Sequence, residues 1–169
     1  MGNDADNEQA AKPRRRAIWV AVAVVGIVAA DQLTKAWVVS HLADGPQQII
    51  GDTVKLELAR NSGSAFSRFR GSTPLLAVLA VVITIFIARE IKRATDKWML
   101  VGLTLVLGGA LGNLMDRFFR SPGFLRGHVV DFVAVGWWPL FNLADSCITI
   151  GMILVIVRLL FAPQPVTTS

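Results

Sequence analysis

The sequence predicts an all-α membrane protein, a bundle of four transmembrane helices with a small extracytoplasmic β-sheet between helices 1 and 2. Three observations predict it. Hydrophobic residues make up 53% of the 169-residue chain, more than an ordinary soluble domain carries. They gather in four runs, and roughly 20 apolar residues in a helix cross a bilayer core about 30 Å thick. Between the first two runs, apolar and polar residues alternate, which is the period of a half-buried strand.

The predicted spans cover residues 17–39, 74–89, 98–115 and 139–161 and leave little chain for a separate soluble domain. Residues 1–16 are polar and then basic, without hydrophobic periodicity, and read as a disordered cytoplasmic tail. Residues 162–169 read as a second short cytoplasmic tail. Basic residues before a short apolar core, followed by Val28-Ala29-Ala30, also fit a cleavable secretory signal. Against cleavage, Leu33, Ala36, Trp37 and Val38 prolong the apolar helix past that cut. Cleavage would also leave an odd number of spans.

The outer β-rich segment is placed at about residues 49–70. Val54, Leu56 and Leu58 alternate with Lys55 and Glu57, and Arg60-Asn61-Ser62-Gly63 reads as a turn. A second extended run over residues 65–69 would complete a hairpin. The valine-rich stretch 128–135 is a further strand candidate and would bring Asp131 to the membrane surface.

The formal charge of +5 does not point to nucleic acid, because the basic residues flank apolar spans instead of sharing a soluble surface with stacking aromatics. Lys12, Arg14, Arg15 and Arg16 precede the first span, and Arg89, Lys92, Arg93 and Lys97 join the second to the third. This bias puts both termini in the cytoplasm. The bias is incomplete, since Lys55, Arg60, Arg68, Arg70, Arg117, Arg120 and Arg126 fall on the outer side. Cys147 is the only cysteine, so no intramolecular disulfide or multi-cysteine metal site can form, and its apolar helix suggests packing.

Ionisable groups in apolar spans are costly and therefore informative. Asp31 and Lys35 stand four residues apart, acid first, the favourable order for an ion pair on one helix face. Such a pair either supports the fold, with Lys35 snorkelling outward, or contacts substrate. Gly108 and Gly112 form a GxxxG surface, and Asn113, Asp116 and Arg117 follow at i, i+3 and i+4, able to share one polar interior. Asp131 and Asp145, the latter one or two turns into the fourth span, fall at similar depth near the outer surface. Two carboxylates held close cannot easily both ionise, so one keeps a proton and the other stays a base, the minimum for acid–base hydrolysis. Spacing alone leaves unrelated loop and cap aspartates equally open.

The blocks Asp31-Gln-Leu-Thr-Lys35, Arg60-Asn61-Ser62-Gly63-Ser64-Ala65-Phe66, Gly108 to Arg117, Val129-Val130-Asp131-Phe132 and Phe141-Asn142-Leu-Ala-Asp145-Ser146 resemble, in order, the signature blocks of the lipoprotein signal peptidase (signal peptidase II) family. Arg60 departs from the usual hydrophobic or aromatic residue before the Asn-x-Gly turn, and Ser64 stands where alanine is familiar. The resemblance implies catalytic aspartates Asp131 and Asp145, with Asn61, Gly63, Asn113, Asp116, Arg117, Asn142, Asp31 and Lys35 binding substrate or supporting the site. It assigns no role to His128, which is read as a flanking residue. It implies an outer sheet that cradles a diacylglyceryl-modified prolipoprotein, cut before the lipidated cysteine by a water that the dyad activates. The setting implied is a bacterial cytoplasmic membrane, with the site at the extracytoplasmic face. Membrane lipids are the other expected partners. No metal, organic cofactor, nucleic acid or obligate protein partner is expected.

The competing readings are a proton-coupled transporter or channel subunit, whose carboxylates would form a path across the membrane, and a structural adaptor, which needs no apposed acids. No convincing serine–histidine pairing or GxGD motif points to other intramembrane proteases.

Overall fold

The computed structural model describes residues 3–63 and 73–161, with side chains of the first helix described from Arg14 onward. The elements are α1 (Asn3–His41), β1 (Gln47–Ile50), β2 (Val54–Asn61), α2 (Thr73–Arg93), α3 (Lys97–Phe119), β3 (Val129–Val135), β4 (Trp138–Phe141) and α4 (Leu143–Phe161). Four helices are long and apolar enough to span a membrane: Arg14–His41, Thr73–Arg93, Lys97–Phe119 and Leu143–Phe161. The protein is a multi-pass membrane protein.

α3 is the centre of the bundle and packs against α1, α2 and α4. Its glycines make that possible. A Cβ on Gly108 would lie 2.8 Å from Ile27 of α1, one on Gly112 would lie 2.7 Å from Asp31 of α1, and one on Gly109 would overlap the Ala144 carbonyl of α4. The predicted GxxxG face thus serves α1, and Gly109 beside it admits α4. Asp96 caps α3 by accepting the Trp98 and Met99 N–H groups at 3.0 and 2.9 Å. Arg158 of α4 grips the same carboxylate through Nε at 2.9 Å and Nη2 at 2.8 Å. The Met99 N–H bond and then Arg158 hold the Asp96 carboxyl below the usual carboxylate range.

The strands form one antiparallel sheet in the order β1-β2-β3-β4. Half of it therefore comes from the connection between α3 and α4. Val130 and Phe132 of β3 pack on Val38 and Leu42 of α1, with Leu56 and Leu58 alongside, seating the sheet on the end of the first helix.

Three expectations need correction. The tail over residues 1–16 is helical from Asn3: Glu8, Gln9, Ala10 and Ala11 are good helix formers, and they extend a helix already nucleated by the span. Residues 139–161 are not one helix, because Trp138–Phe141 is strand. Aromatic neighbours favour a strand, Pro139 lacks an N–H, and α4 starts only after Asn142. The hairpin partner of β2 is β1, which precedes it. The extended run expected at 65–69 lies outside the described residues, as do Arg68, Arg70 and Ser64.

Candidate active site

Three asparagines surround two carboxylates, and each amide is oriented by a group that can only donate. Asn61, at the end of β2, accepts the Gly63 N–H on Oδ1 at 2.7 Å, so its Nδ2 donates to Asp131 Oδ2 at 2.9 Å. Asn113 on α3 accepts from Lys35 Nζ at 3.0 Å, so its Nδ2 donates to Asp145 Oδ1 at 2.8 Å. Asn142 accepts the Asp145 N–H at 2.9 Å, so its Nδ2 donates to Asp131 Oδ1 at 2.7 Å. An ammonium and two backbone N–H groups thus fix orientations that an amide alone would leave open.

Local folding explains the convergence. β3 pairs Asp131 with Ala59, and Asn61 stands two residues further along β2, on the same face as Ala59. Asn142 and Asp145 form a reciprocal cap at the start of α4. Asn142 Oδ1 takes the Asp145 N–H, and Asp145 Oδ2 takes the Asn142 N–H at 3.2 Å. Asp145 therefore lies in the first turn of α4, and Asn142 is bonded to both aspartates. Asp131 is 3% exposed. Burial pushes its carboxyl above the usual range, the bond from Asn61 opposes this, and the charge of Asp145 pushes it higher.

Behind this pair is a second charged cluster. Lys35 Nζ lies 2.8 Å from both Asp31 and Asp116, and Arg120 Nε lies 2.5 Å from Asp116. The two acids and two bases balance. Asp31 Oδ1 accepts the Ala144 N–H of α4 at 3.0 Å, and Asp116 Oδ2 accepts the Val130 N–H of β3 at 3.1 Å. The cluster therefore pins α4 and β3 to α1 and α3. Lys35 is fully buried, so it does not snorkel: two carboxylates and the Asn113 oxygen occupy its three donors. Gln32 bonds Gly112 O at 3.1 Å and reaches Asp31 and Asp116 at 3.2 Å each. Neither Gln32 nor Arg120 was among the predicted site residues. Arg120 is four residues after Asp116, a spacing that signals the pair, whereas nothing local marks Gln32.

Asn113, Asp116 and Arg117 share one polar end of the bundle with different partners. Asn113 bonds Asp145 and Lys35, Lys35 joins it to Asp116, and Arg117 faces the Asn61–Gly63 turn and feels the charges of Asp116, Asp131 and Asp145. Gly63 has φ +84°, and a Cβ there would lie 2.6 Å from Leu76 Cδ1 and 3.0 Å from Arg117 Nη2. Glycine is needed for both the dihedral and the approach. Among the described residues, Arg117 Nη1 is buried without a hydrogen-bond partner. Beside Asp145, a groove of about 390 Å³ opens between β4 and α4, lined by Trp138, Leu140, Phe141, Ser146 and Ile150 among others. The dyad and cluster sit at one end of the bundle, while the interior at the other end is Ile87, Ile91, Leu103 and Val106. Among the described residues, that gathering does not make a carboxylate path across the membrane.

The family described as signal peptidase (SPase) II matches residues 23–161. A lipoprotein signal peptidase of Rhodococcus jostii (strain RHA1) is 48% identical over 169 residues, covering 96% of this chain and 85% of that protein. One from Mycobacterium avium (strain 104) is 49% identical over 150 residues, covering 88% and 82%. A solved structure titled as a bacterial membrane enzyme at 1.9 Å resolution superposes with a TM-score of 0.75 at 30% identity, covering 85% of this chain and 94% of that one.

Proposed function

Because the chain belongs to the signal peptidase II family, we propose that it removes signal peptides from diacylglyceryl-modified prolipoproteins, cutting before the lipidated cysteine with Asp131 and Asp145 as an aspartyl dyad. The observation that carries this reading is Asn142, bonded to both carboxylates at once.

The pair titrates as a unit, one acid holding a proton while the other is the base. The base takes a proton from water, the resulting hydroxide attacks the scissile carbonyl, and the proton of the other acid goes to the carbonyl oxygen. When the C–N bond breaks, the first acid gives its proton to the leaving amine and the second recovers its own. The groove beside Asp145 suits the peptide, and apolar helix faces suit the signal helix and acyl chains. A site at the outer surface of a bacterial cytoplasmic membrane, with both termini inside, lets acyl chains stay in the bilayer while water reaches the amide. Asn61 and Gly63 shape one wall, and Arg117 offsets the negative charge of the dyad.

The test is turnover of lipidated against unlipidated precursor by Asp131→Asn, Asp145→Asn and the double variant. Each single variant should lose nearly all activity on lipidated precursor, and the double should be hardly worse, because groups acting as a unit are non-additive. A folded single variant cleaving near the parent rate would overturn the assignment.

A further inference from the structure

At the end of the bundle opposite the dyad, α1 and α2 each pack on α3 and leave a cleft of about 530 Å³ between them. Its walls are Val20, Ala21 and Val24 of α1 and Ala88 of α2, and Leu107 of α3 forms its floor. Two cations stand on its rim, Arg16 and Lys92. Arg16 Nη2 donates to the Ile91 carbonyl at 2.6 Å. That carbonyl is one of the last four of α2, which have no partner within the helix. The bond steadies the guanidinium across the gap while its other N–H groups stay uncommitted among the described residues. Lys92 is exposed and makes no ion pair among them. The described acids nearby are already taken, Glu90 by Arg93 at 3.0 Å and Asp96 by Arg158 at 2.8 Å.

We propose that this cleft binds one anionic phospholipid, an acyl chain lying between α1 and α2 and the phosphate resting between Arg16 and Lys92. Charge complementarity selects the headgroup, because the rim carries two cations and, among the described residues, no free carboxylate. The walls select a lipid over a soluble anion, because they are apolar and face the hydrocarbon of the bilayer. Alanines at 21 and 88 keep the slot open where bulkier residues would close it. The site is about 22 Å along α1 from Asp31, at 1.5 Å per residue, so its occupant is distinct from the substrate at the dyad.

The test is native mass spectrometry of the purified full chain in micelles doped with phosphatidylglycerol or phosphatidylcholine, with glycerol phosphate as the soluble competitor. Phosphatidylglycerol should be retained in preference to phosphatidylcholine. A membrane-surface cation contributes roughly fivefold, so Arg16→Gln with Lys92→Gln should weaken retention roughly 30-fold. Arg14→Gln with Arg15→Gln, further from the slot, should change it less than about twofold. Ala88→Leu should weaken retention with every charge intact, and precursor cleavage in detergent should stay at the parent level throughout. Should Arg16→Gln unseat α2, Lys92→Gln alone keeps the test open, since it breaks no described contact. Equal retention of the two lipids, competition by glycerol phosphate as effective as by phosphatidylglycerol, or undiminished retention by Ala88→Leu would each overturn the proposal.

Discussion

Replacing Lys35 by methionine keeps most of the side-chain volume and removes one charge, so it isolates what the ammonium does. In the parent, Lys35 and Arg120 balance Asp31 and Asp116, and Lys35, Asp31 and Asp116 are fully buried. Without Lys35 the cluster holds one uncompensated negative charge, and Asn113 Oδ1 keeps only the 3.3 Å bond from Asn142 Nδ2. Breaking a buried ion pair by removing one partner costs about 3–5 kcal/mol, a large part of the roughly 5–15 kcal/mol that holds a domain folded. Adding Asp31→Asn restores neutrality while an amide oxygen can still accept the Ala144 N–H. The double variant should therefore be more stable than Lys35→Met alone, with a coupling of about 1–3 kcal/mol. Reversible unfolding in mixed micelles measures both. A Lys35→Met protein within about 1 kcal/mol of the parent, or strictly additive effects, would refute the reasoning.

Three further outcomes are expected. Gly63→Ala should lower precursor turnover while leaving the helices folded, because it forces a left-handed residue costing about 1–2 kcal/mol and presses a methyl on Leu76 and Arg117; unchanged turnover would count against that turn's role. Gly109→Val should lower both stability and activity, since its side chain would overlap the Ala144 carbonyl and part α3 from α4, which thermal unfolding and turnover together detect. Asp131 has a raised carboxyl pKa when folded, so between roughly pH 4 and that raised value the folded state binds more protons than the unfolded one, and stability falls as pH rises through the window. Unfolding measured across pH should be flatter in Asp131→Asn, and an equally steep fall in that variant would count against Asp131 as its source.

The spans were legible because a bilayer imposes one length and one polarity on each. Asp31 with Lys35 was legible as a pair from helix geometry. Its depth was not, because Asp116, the second carboxylate that holds Lys35 inside, comes from α3, as does Asn113, whose bond to Lys35 spans 78 residues of sequence. Asp131 and Asp145 could be proposed from depth and resemblance, but their links through Asn142 depend on where α4 starts. The apolar run from Trp138 onward hid that start: it reads as continuous span, whereas Asn142 and Asp145 cap each other and begin the helix one strand later. Arg120 caps the end of α3, which runs to Phe119, further than its apolar stretch suggests, so its i+4 pairing with Asp116 lay beyond the predicted span.

The sheet has its own implication for how the molecule is made. β2 emerges early in synthesis, yet its partner β3 follows two complete helices later, so one strand edge must wait while α2 and α3 insert. Asn61 and Asn113 are in place before either aspartate has been added to the growing chain. The carboxylates can be gathered only when Ala144 reaches Asp31 and α4 closes on α3. A half-inserted chain thus carries the framework of the proposed site without its aspartate pair, and the last helix to enter the bilayer is also the step that completes it.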